Sequence, residues 1–204
     1  MFLHPSKANK DGLLAVGGDL SQERLLAAYN SGIFPWYEED QPILWWSPNP
    51  RMVLFLEDFK VSKSLKKTIR DNHFSVTFNT KFKDVITNCA TITRGGQKGT
   101  WITEQMIDAY SNLYKKGHIL SVEVWQGKEL VGGLYGVDLQ DKKIYCGESM
   151  FSKVSDASKV GLYYLVNFLK VKKYRFIDCQ MYTPHLESLG AKEIEREQFL
   201  KCLE

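Results

Sequence analysis

No apolar run in the sequence approaches the ~20 residues that a membrane-spanning helix needs, so no span is expected. The opening Met1-Phe2-Leu3-His4-Pro5-Ser6-Lys7 carries no basic region followed by an apolar stretch, which predicts a soluble, untargeted, cytoplasmic chain. Cysteine is sparse. Cys89, Cys146, Cys179 and Cys202 lie far apart and form no C-x-x-C pair, which argues against a zinc knuckle or a disulfide framework and for reduced thiols. An excess of one charge is also missing: the net charge is +3, so any affinity for nucleic acid must come from local clustering of Lys and Arg. The glycine-rich stretch Arg94-Gly95-Gly96-Gln97-Lys98-Gly99-Thr100 lacks the G-x-x-x-x-G-K-[ST] order and a preceding strand. It reads as an irregular basic surface and not as a phosphate loop. There is no internal repeat and no low-complexity tract. What remains is 204 residues of ordinary globular composition, 44% hydrophobic, enough for one sizeable core or two unequal domains.

Up to about Phe59 the chain is rich in Gly, Pro and Trp, with one convincing helix after Ser21 bearing Leu25, Leu26, Ala28 and Tyr29, terminated at Gly32. Three tryptophans, Trp36, Trp45 and Trp46, fall within eleven residues beside prolines that argue against a central strand. Trp45 and Trp46 fit a small domain's core. Trp36 is open between core and the stacking of a nucleic-acid base. Residues 60–73 are the one concentrated basic segment: Ser62 is a candidate N-cap, Leu65 and Ile69 make a narrow apolar stripe, and Lys63, Lys66, Lys67 and Arg70 stand outside it. Such a face is usually only solvated, but no acid accompanies these cations before Asp71, which also admits a phosphate backbone.

Beyond residue 60 the pattern is α+β. A strand at 74–78, a helix opened by a Thr80/Asp84 capping box, and a second helix capped by Thr103 are expected. Trp101 ends the glycine-rich loop just before that second helix. Residues 119–125, 129–137 and 143–151 read as an antiparallel meander, 156–170 as a mostly apolar helix buried against it, and residues 193–200 as a last strand. Tyr174-Arg175-Phe176-Ile177-Asp178-Cys179-Gln180-Met181 reads as a buried strand with an acid at its centre. Strict alternation would put Asp178 and Gln180 on one face, ~7 Å apart. Taken alone, Asp178 fits a structural acid bonded to a neighbouring loop as well as it fits catalysis.

The segments Gly12-Leu13-Leu14-Ala15-Val16-Gly17-Gly18-Asp19-Leu20, Gly32-Ile33-Phe34-Pro35-Trp36 and Trp45-Trp46-Ser47-Pro48-Asn49-Pro50-Arg51 are followed by Gly99-Thr100-Trp101-Ile102-Thr103. Val131-Gly132-Gly133-Leu134-Tyr135-Gly136, Cys146-Gly147-Glu148-Ser149-Met150-Phe151-Ser152, Ile177-Asp178-Cys179-Gln180 and Ser188-Leu189-Gly190-Ala191 come next. In this order, over nearly the whole chain, the sequence resembles the leucyl/phenylalanyl-tRNA-protein transferases. The resemblance implies a small N-terminal α/β domain, residues 1–59, and a C-terminal N-acetyltransferase-like domain, residues 60–204. The activity it implies is transfer of Leu or Phe, and Met less well, from aminoacyl-tRNA to the N-terminal Arg or Lys of acceptor proteins, marking them for degradation by the N-degron route. It also implies a cytoplasmic monomer without cofactor. The helix entry Ser152-Lys153-Val154-Ser155-Asp156-Ala157-Ser158 lacks the glycine turn with which acyl-CoA enzymes of that fold bind pyrophosphate, which disfavours an acyl-CoA donor.

An aminoacyl ester is already activated, so the reaction needs positioning and one proton acceptor rather than ATP or a metal. The resemblance assigns Asp178 and Gln180 to a relay in which the carboxylate polarises the amide that receives the amine, with a substrate-assisted route through the tRNA's own hydroxyl as the competing mechanism. It gives Tyr29, Trp36, Trp101, Glu148 and Ser149 to aminoacyl-tRNA binding, and Lys63, Lys66, Lys67 and Arg70 to the tRNA backbone. Leu134, Met150, Phe151, Phe168 and Ile177 are candidates for the aminoacyl side-chain pocket, and each fits plain core equally well. A tRNA-binding module without catalysis, or an acyltransferase with another donor, are the alternatives.

Overall fold

The computed structural model describes residues 2–92 and 101–204; the whole of the glycine-rich basic stretch read above, residues 94–100, lies outside them. In chain order the elements are β1 (Leu13–Val16), α1 (Gln22–Asn30), β2 (Phe34–Pro35), β3 (Leu44–Trp46), β4 (Arg51–Phe55), α2 (Lys63–Arg70), β5 (Ser75–Phe78) and α3 (Phe82–Thr91). They continue with α4 (Glu104–Lys115), β6 (Ile119–Gln126), β7 (Glu129–Leu139), β8 (Ile144–Ser152), α5 (Ala157–Val171), β9 (Phe176–Gln180), α6 (Pro184–Ser188), β10 (Lys192–Ile194) and α7 (Arg196–Lys201). The architecture is α+β, as expected. A three-stranded sheet in the order β1-β3-β2 stands beside a seven-stranded sheet in the order β10-β4-β9-β8-β7-β6-β5. All pairs are antiparallel except β8 with β9.

The expected meander is β6-β7-β8. Its two faces carry two cores. Tyr135, Val137, Phe151 and Phe176 pack with α3, α4 and the N-terminal Leu25, Tyr29 and Trp45, while Leu54, Val122, Leu134, Tyr145 and Ile177 pack with Leu162, Leu165 and Leu169 of α5. The apolar character of α5 follows from this burial. Tyr145 also explains one glycine: its ring crosses β7 at Gly136, where a Cβ would stand 2.6 Å from the ring and 2.2 Å from the Cys146 carbonyl oxygen.

Four local expectations change. Residues 51–55 were expected in the small domain, ahead of a boundary at 59 and 60, yet β4 is a strand inside the large sheet, between β10 and β9. β3 is the middle strand of the small sheet, because it stops short of Pro48. Helix α3 is not opened by a capping box: Lys81 stands at its N-cap, and the Thr80 hydroxyl donates to the buried carboxylate of Glu123 at 2.8 Å. The C-terminal segment holds only the short β10 and then turns into α7, whose Phe199 faces the core.

Candidate active site

The parallel pairing of β8 and β9 runs only from Ile144 and Phe176 to Cys146 and Asp178, after which the two strands separate. Each strand also carries one extra residue at this point. On β8, Tyr135 pairs with Ser149 and Gly136 with Gly147, so Glu148 is the inserted residue of a bulge. On β9, Val53 pairs with Asp178 and Met52 with Gln180, so Cys179 is inserted, and Gln180 takes φ of +66°. Bulges turn side chains out of the plain alternation, and these two set out the site.

The first consequence is that Asp178 and Gln180 do not share a face, contrary to the expectation from alternation. Asp178 is fully buried, and its carboxylate receives two parallel bonds from Arg51, Nε to Oδ1 at 2.8 Å and Nη2 to Oδ2 at 2.7 Å. Arg51 is itself 1% exposed, donates to the Gly32 carbonyl at 3.2 Å, and lies between the rings of Phe34 and Phe199, 4.9 and 4.5 Å from their centroids. A bidentate, doubly stacked guanidinium of this kind is a rigid anchor. Asp178 reaches Gln180 through the backbone: Oδ1 accepts the Gln180 N–H at 3.0 Å. The Gln180 side chain instead donates from Nε2 to Oε1 of Glu148 at 2.9 Å. The expected polarisation of Gln180 by the Asp178 carboxylate is therefore replaced by a contact with Glu148.

Glu148 stands where the strands part. Its Oε2 accepts the hydroxyl of Tyr110 at 3.2 Å, and Tyr110 is paired with the hydroxyl of Tyr29 at 2.5 Å. With Tyr110 donating to the carboxylate, Tyr29 donates to Tyr110. Burial raises the Glu148 pKa from 4.5 to about 7; hydrogen bonding from Tyr29, Tyr110 and Gln180 opposes the rise, and the nearby charge of Asp178 adds to it. Burial also pushes the hydroxyls of Tyr29, Tyr110 and Tyr145 and the Cys146 thiol well above their ordinary values, so these groups stay protonated at neutral pH.

Between the separated strands, α5 and α6 opens a cavity of about 420 Å³. Leu134, Met150 and Ile177 line it, together with Leu54, Leu162 and Leu165, while Glu148, Ser149 and Gln180 supply polar atoms and Trp36 and Trp101 stand at its edge. Trp36 is 37% exposed, meets Trp46 edge to face at 5.9 Å, and is braced by the Trp46 indole N–H donating to its carbonyl at 2.7 Å.

Three expected placements differ. Phe151 does not line the cavity, because the Glu148 bulge sends Met150 toward α5 and Phe151 into the opposite core. Phe168 stacks on Phe78 at 5.0 Å and is not in the cavity wall. Tyr29 lies behind Glu148, buried and outside the cavity wall; its hydroxyl pairs with that of Tyr110 and also contributes hydrogen bonding to Glu148. On α2, Ser62 caps the helix by accepting the Leu65 N–H at 3.1 Å, Leu65 packs in a small core with Val124, Val131, Ala157 and Val160, and Lys63, Lys66, Lys67 and Arg70 are exposed. Among the described residues, Lys63, Lys66 and Lys67 form no ion pair.

Sequence reasoning missed three things. Arg51 was quoted only as the end of a motif, although the apolar run Met52-Val53-Leu54-Phe55 after it signals a strand that would carry it into the core. Tyr110 sits on the apolar stripe of the helix after Thr103, and nothing in the linear sequence marks it as a partner of Glu148. Leu162 and Leu165 belong to the mostly apolar helix expected over 156–170, and the sequence alone holds no sign that they border a cavity.

The family model described as leucyl/phenylalanyl-tRNA protein transferase matches residues 53–204, and the model of that family's N-terminal domain matches residues 18–49. The leucyl/phenylalanyl-tRNA--protein transferase of Flavobacterium johnsoniae is 55% identical over 204 residues, covering 100% of this chain and 95% of that protein. The protein of the same name from Christiangramia forsetii is 56% identical over 198 residues, covering 97% and 93%. Among solved structures, an aminoglycoside acetyltransferase from an uncultured soil metagenomic sample overlays on 58% of this chain and 84% of its own, with a TM-score of 0.43 and 12% identity.

Proposed function

We propose, from the premise that this chain belongs to the leucyl/phenylalanyl-tRNA protein transferase family, how its cavity carries out the family's aminoacyl transfer. The protein moves Leu or Phe, and less well Met, from aminoacyl-tRNA to the N-terminal Arg or Lys of an acceptor protein, forming a peptide bond. The observation that carries the site assignment is an apolar cavity that meets Glu148 and Gln180 at the parting of β8 and β9 and is also lined by Trp36 and Trp101.

The aminoacyl side chain enters between Leu134, Met150, Ile177, Leu162 and Leu165. Unbranched Cβ positions suit a slot of this kind, and one misplaced methyl is worth ~1–3 kcal/mol. The terminal adenosine rests on Trp36 and Trp101, where stacking contributes ~1–3 kcal/mol per base. Glu148 and Ser149 face the aminoacyl-adenosine junction. Lys63, Lys66, Lys67 and Arg70 lie along the tRNA backbone. Because Gln180 donates its Nε2 to Glu148, its Oε1 is left to accept from the incoming amine. Asp178 takes part at one remove, as the acid that Arg51 fixes and that holds the Gln180 backbone. The chain works as a cytoplasmic monomer in the N-degron route, as the family resemblance implies.

The test is direct. The protein is mixed with Leu-tRNA or Phe-tRNA and a protein beginning with Arg, and the acceptor's mass is measured. Addition of one Leu or Phe is expected; tRNA binding without product would leave a binding module.

A further inference from the structure

Among the described residues that line the cavity, Glu148 is the one carboxylate. Asp178 does not line it, is fully buried and has both oxygens taken by Arg51, so no amine can reach it without breaking that pair. Glu148 is held from two sides, by Gln180 from β9 and by Tyr110 from α4, and the second contact is backed by Tyr29 from α1. An acceptor amine bonded to Oε1 of Gln180 is thereby one side-chain amide away from the Glu148 carboxylate. His185 also lines the cavity, but burial, and after it the charge of Lys159, lowers the imidazole's proton affinity, and that charge also repels an ammonium.

Resting on the transfer reaction proposed above, we infer that Glu148 is the catalytic base that takes the proton from the acceptor's N-terminal ammonium, with Tyr110 and Tyr29 as positioning residues that hold its carboxylate. The ammonium gives one proton to Glu148, and the freed nitrogen pair forms the C–N bond to the ester carbonyl. As the C–O bond to the terminal ribose breaks, its electron pair goes to the ribose oxygen, which takes that proton from Glu148. The carboxylate then receives the second nitrogen proton and releases it to solvent. One proton is lost per amide formed, and the carboxylate is restored.

The other groups facing Glu148 leave it alone in this role. From the helices these are Tyr29 and Tyr110, from the strands Tyr145, Cys146 and Asp178, with Tyr135 against Tyr110 and Arg51 behind Asp178. A peptide N-terminus titrates at ~7.7–8.0, mostly protonated at pH 7, so a base is needed there.

The experiment measures single-turnover transfer from saturating Phe-tRNA to an Arg-initiated peptide between pH 5.5 and 9, with binding of Phe-tRNA measured separately. The wild-type rate is expected to rise through pH about 7, following Glu148. In Glu148→Gln the rate at pH 7 should fall ~100-fold or more, as for loss of a general base. Its pH midpoint should move up to that of the acceptor amine, and the rate at saturating Phe-tRNA should fall by far more than the affinity for Phe-tRNA. Tyr110→Phe removes a hydroxyl that lowers the Glu148 pKa, so its midpoint should also move upward; it carries the test if Glu148→Gln does not fold. The inference is overturned by an unmoved midpoint in both variants, by a defect confined to the KM for Phe-tRNA, or by a midpoint that moves with His185→Ala instead. Absence of product from the wild-type chain would sink the transferase reading itself, whereas product with an unmoved profile sinks only the role of Glu148.

Discussion

Asp178→Asn separates anchoring from chemistry at this site. The substitution keeps the shape of the side chain but leaves the Arg51 guanidinium, 1% exposed, without a counter-charge. Removing one partner of a buried pair costs ~3–5 kcal/mol, because the remaining charge stays out of water. For a chain of this size each kcal/mol lowers Tm by ~2–4 °C, so a drop of roughly 6–20 °C is expected. The double variant Arg51→Met, Asp178→Leu removes both charges and should recover part of that loss, but not all of it. Arg51 also bonds the Gly32 carbonyl and fills the space between Phe34 and Phe199. Thermal and urea unfolding give the stabilities, and single-turnover transfer well below the variant's Tm gives the chemistry. Full wild-type stability in Asp178→Asn, combined with abolished transfer, would refute the anchoring argument and return Asp178 to the reacting groups.

Three further outcomes follow from the same geometry. The Glu148 carboxyl is raised from 4.5 to about 7, so the folded chain binds its proton more tightly than the unfolded chain, and this group's contribution to stability falls as pH rises from about 4.5 to 7. Glu148→Gln should therefore gain roughly 2–3 kcal/mol over wild type between pH 5 and 8 in urea unfolding, and an equal pH dependence of the two chains would contradict it. Trp36→Ala and Trp101→Ala should each weaken Phe-tRNA binding by ~1–3 kcal/mol, about five- to 150-fold, read by filter binding; unchanged affinity would remove them from the adenosine site. Reversing Lys63, Lys66, Lys67 and Arg70 to Glu should lower tRNA affinity and flatten its dependence on salt. An unaltered slope would reduce that face of α2 to a solubility feature.

Much of the frame is legible in the linear sequence because it is local. The apolar stripes of α4 and α5, the caps at Ser62 and Thr103, and the alternation of β6, β7 and β8 each depend on residues within a few positions of one another. The motif order carried the family, and with it the aromatics and acids of the site. The sequence could also show that Asp178 and Gln180 lie two residues apart in an apolar strand, and that no glycine turn precedes α5. Which way those side chains point was another matter. Strand alternation holds only without an inserted residue, and insertion is defined by the partner strand: Glu148 against Tyr135 and Gly136, Cys179 against Met52 and Val53. The first bulge brings the acid to the parting of the strands and turns Phe151 away; the second parts Gln180 from Asp178. Arg51 binds Asp178 across 127 positions of chain, a contact that exists only because β4 lies beside β9 in the folded sheet. Local periodicity is written in the sequence, whereas the pairing of distant strands decides which carboxylate is locked to an arginine and which one faces the cavity.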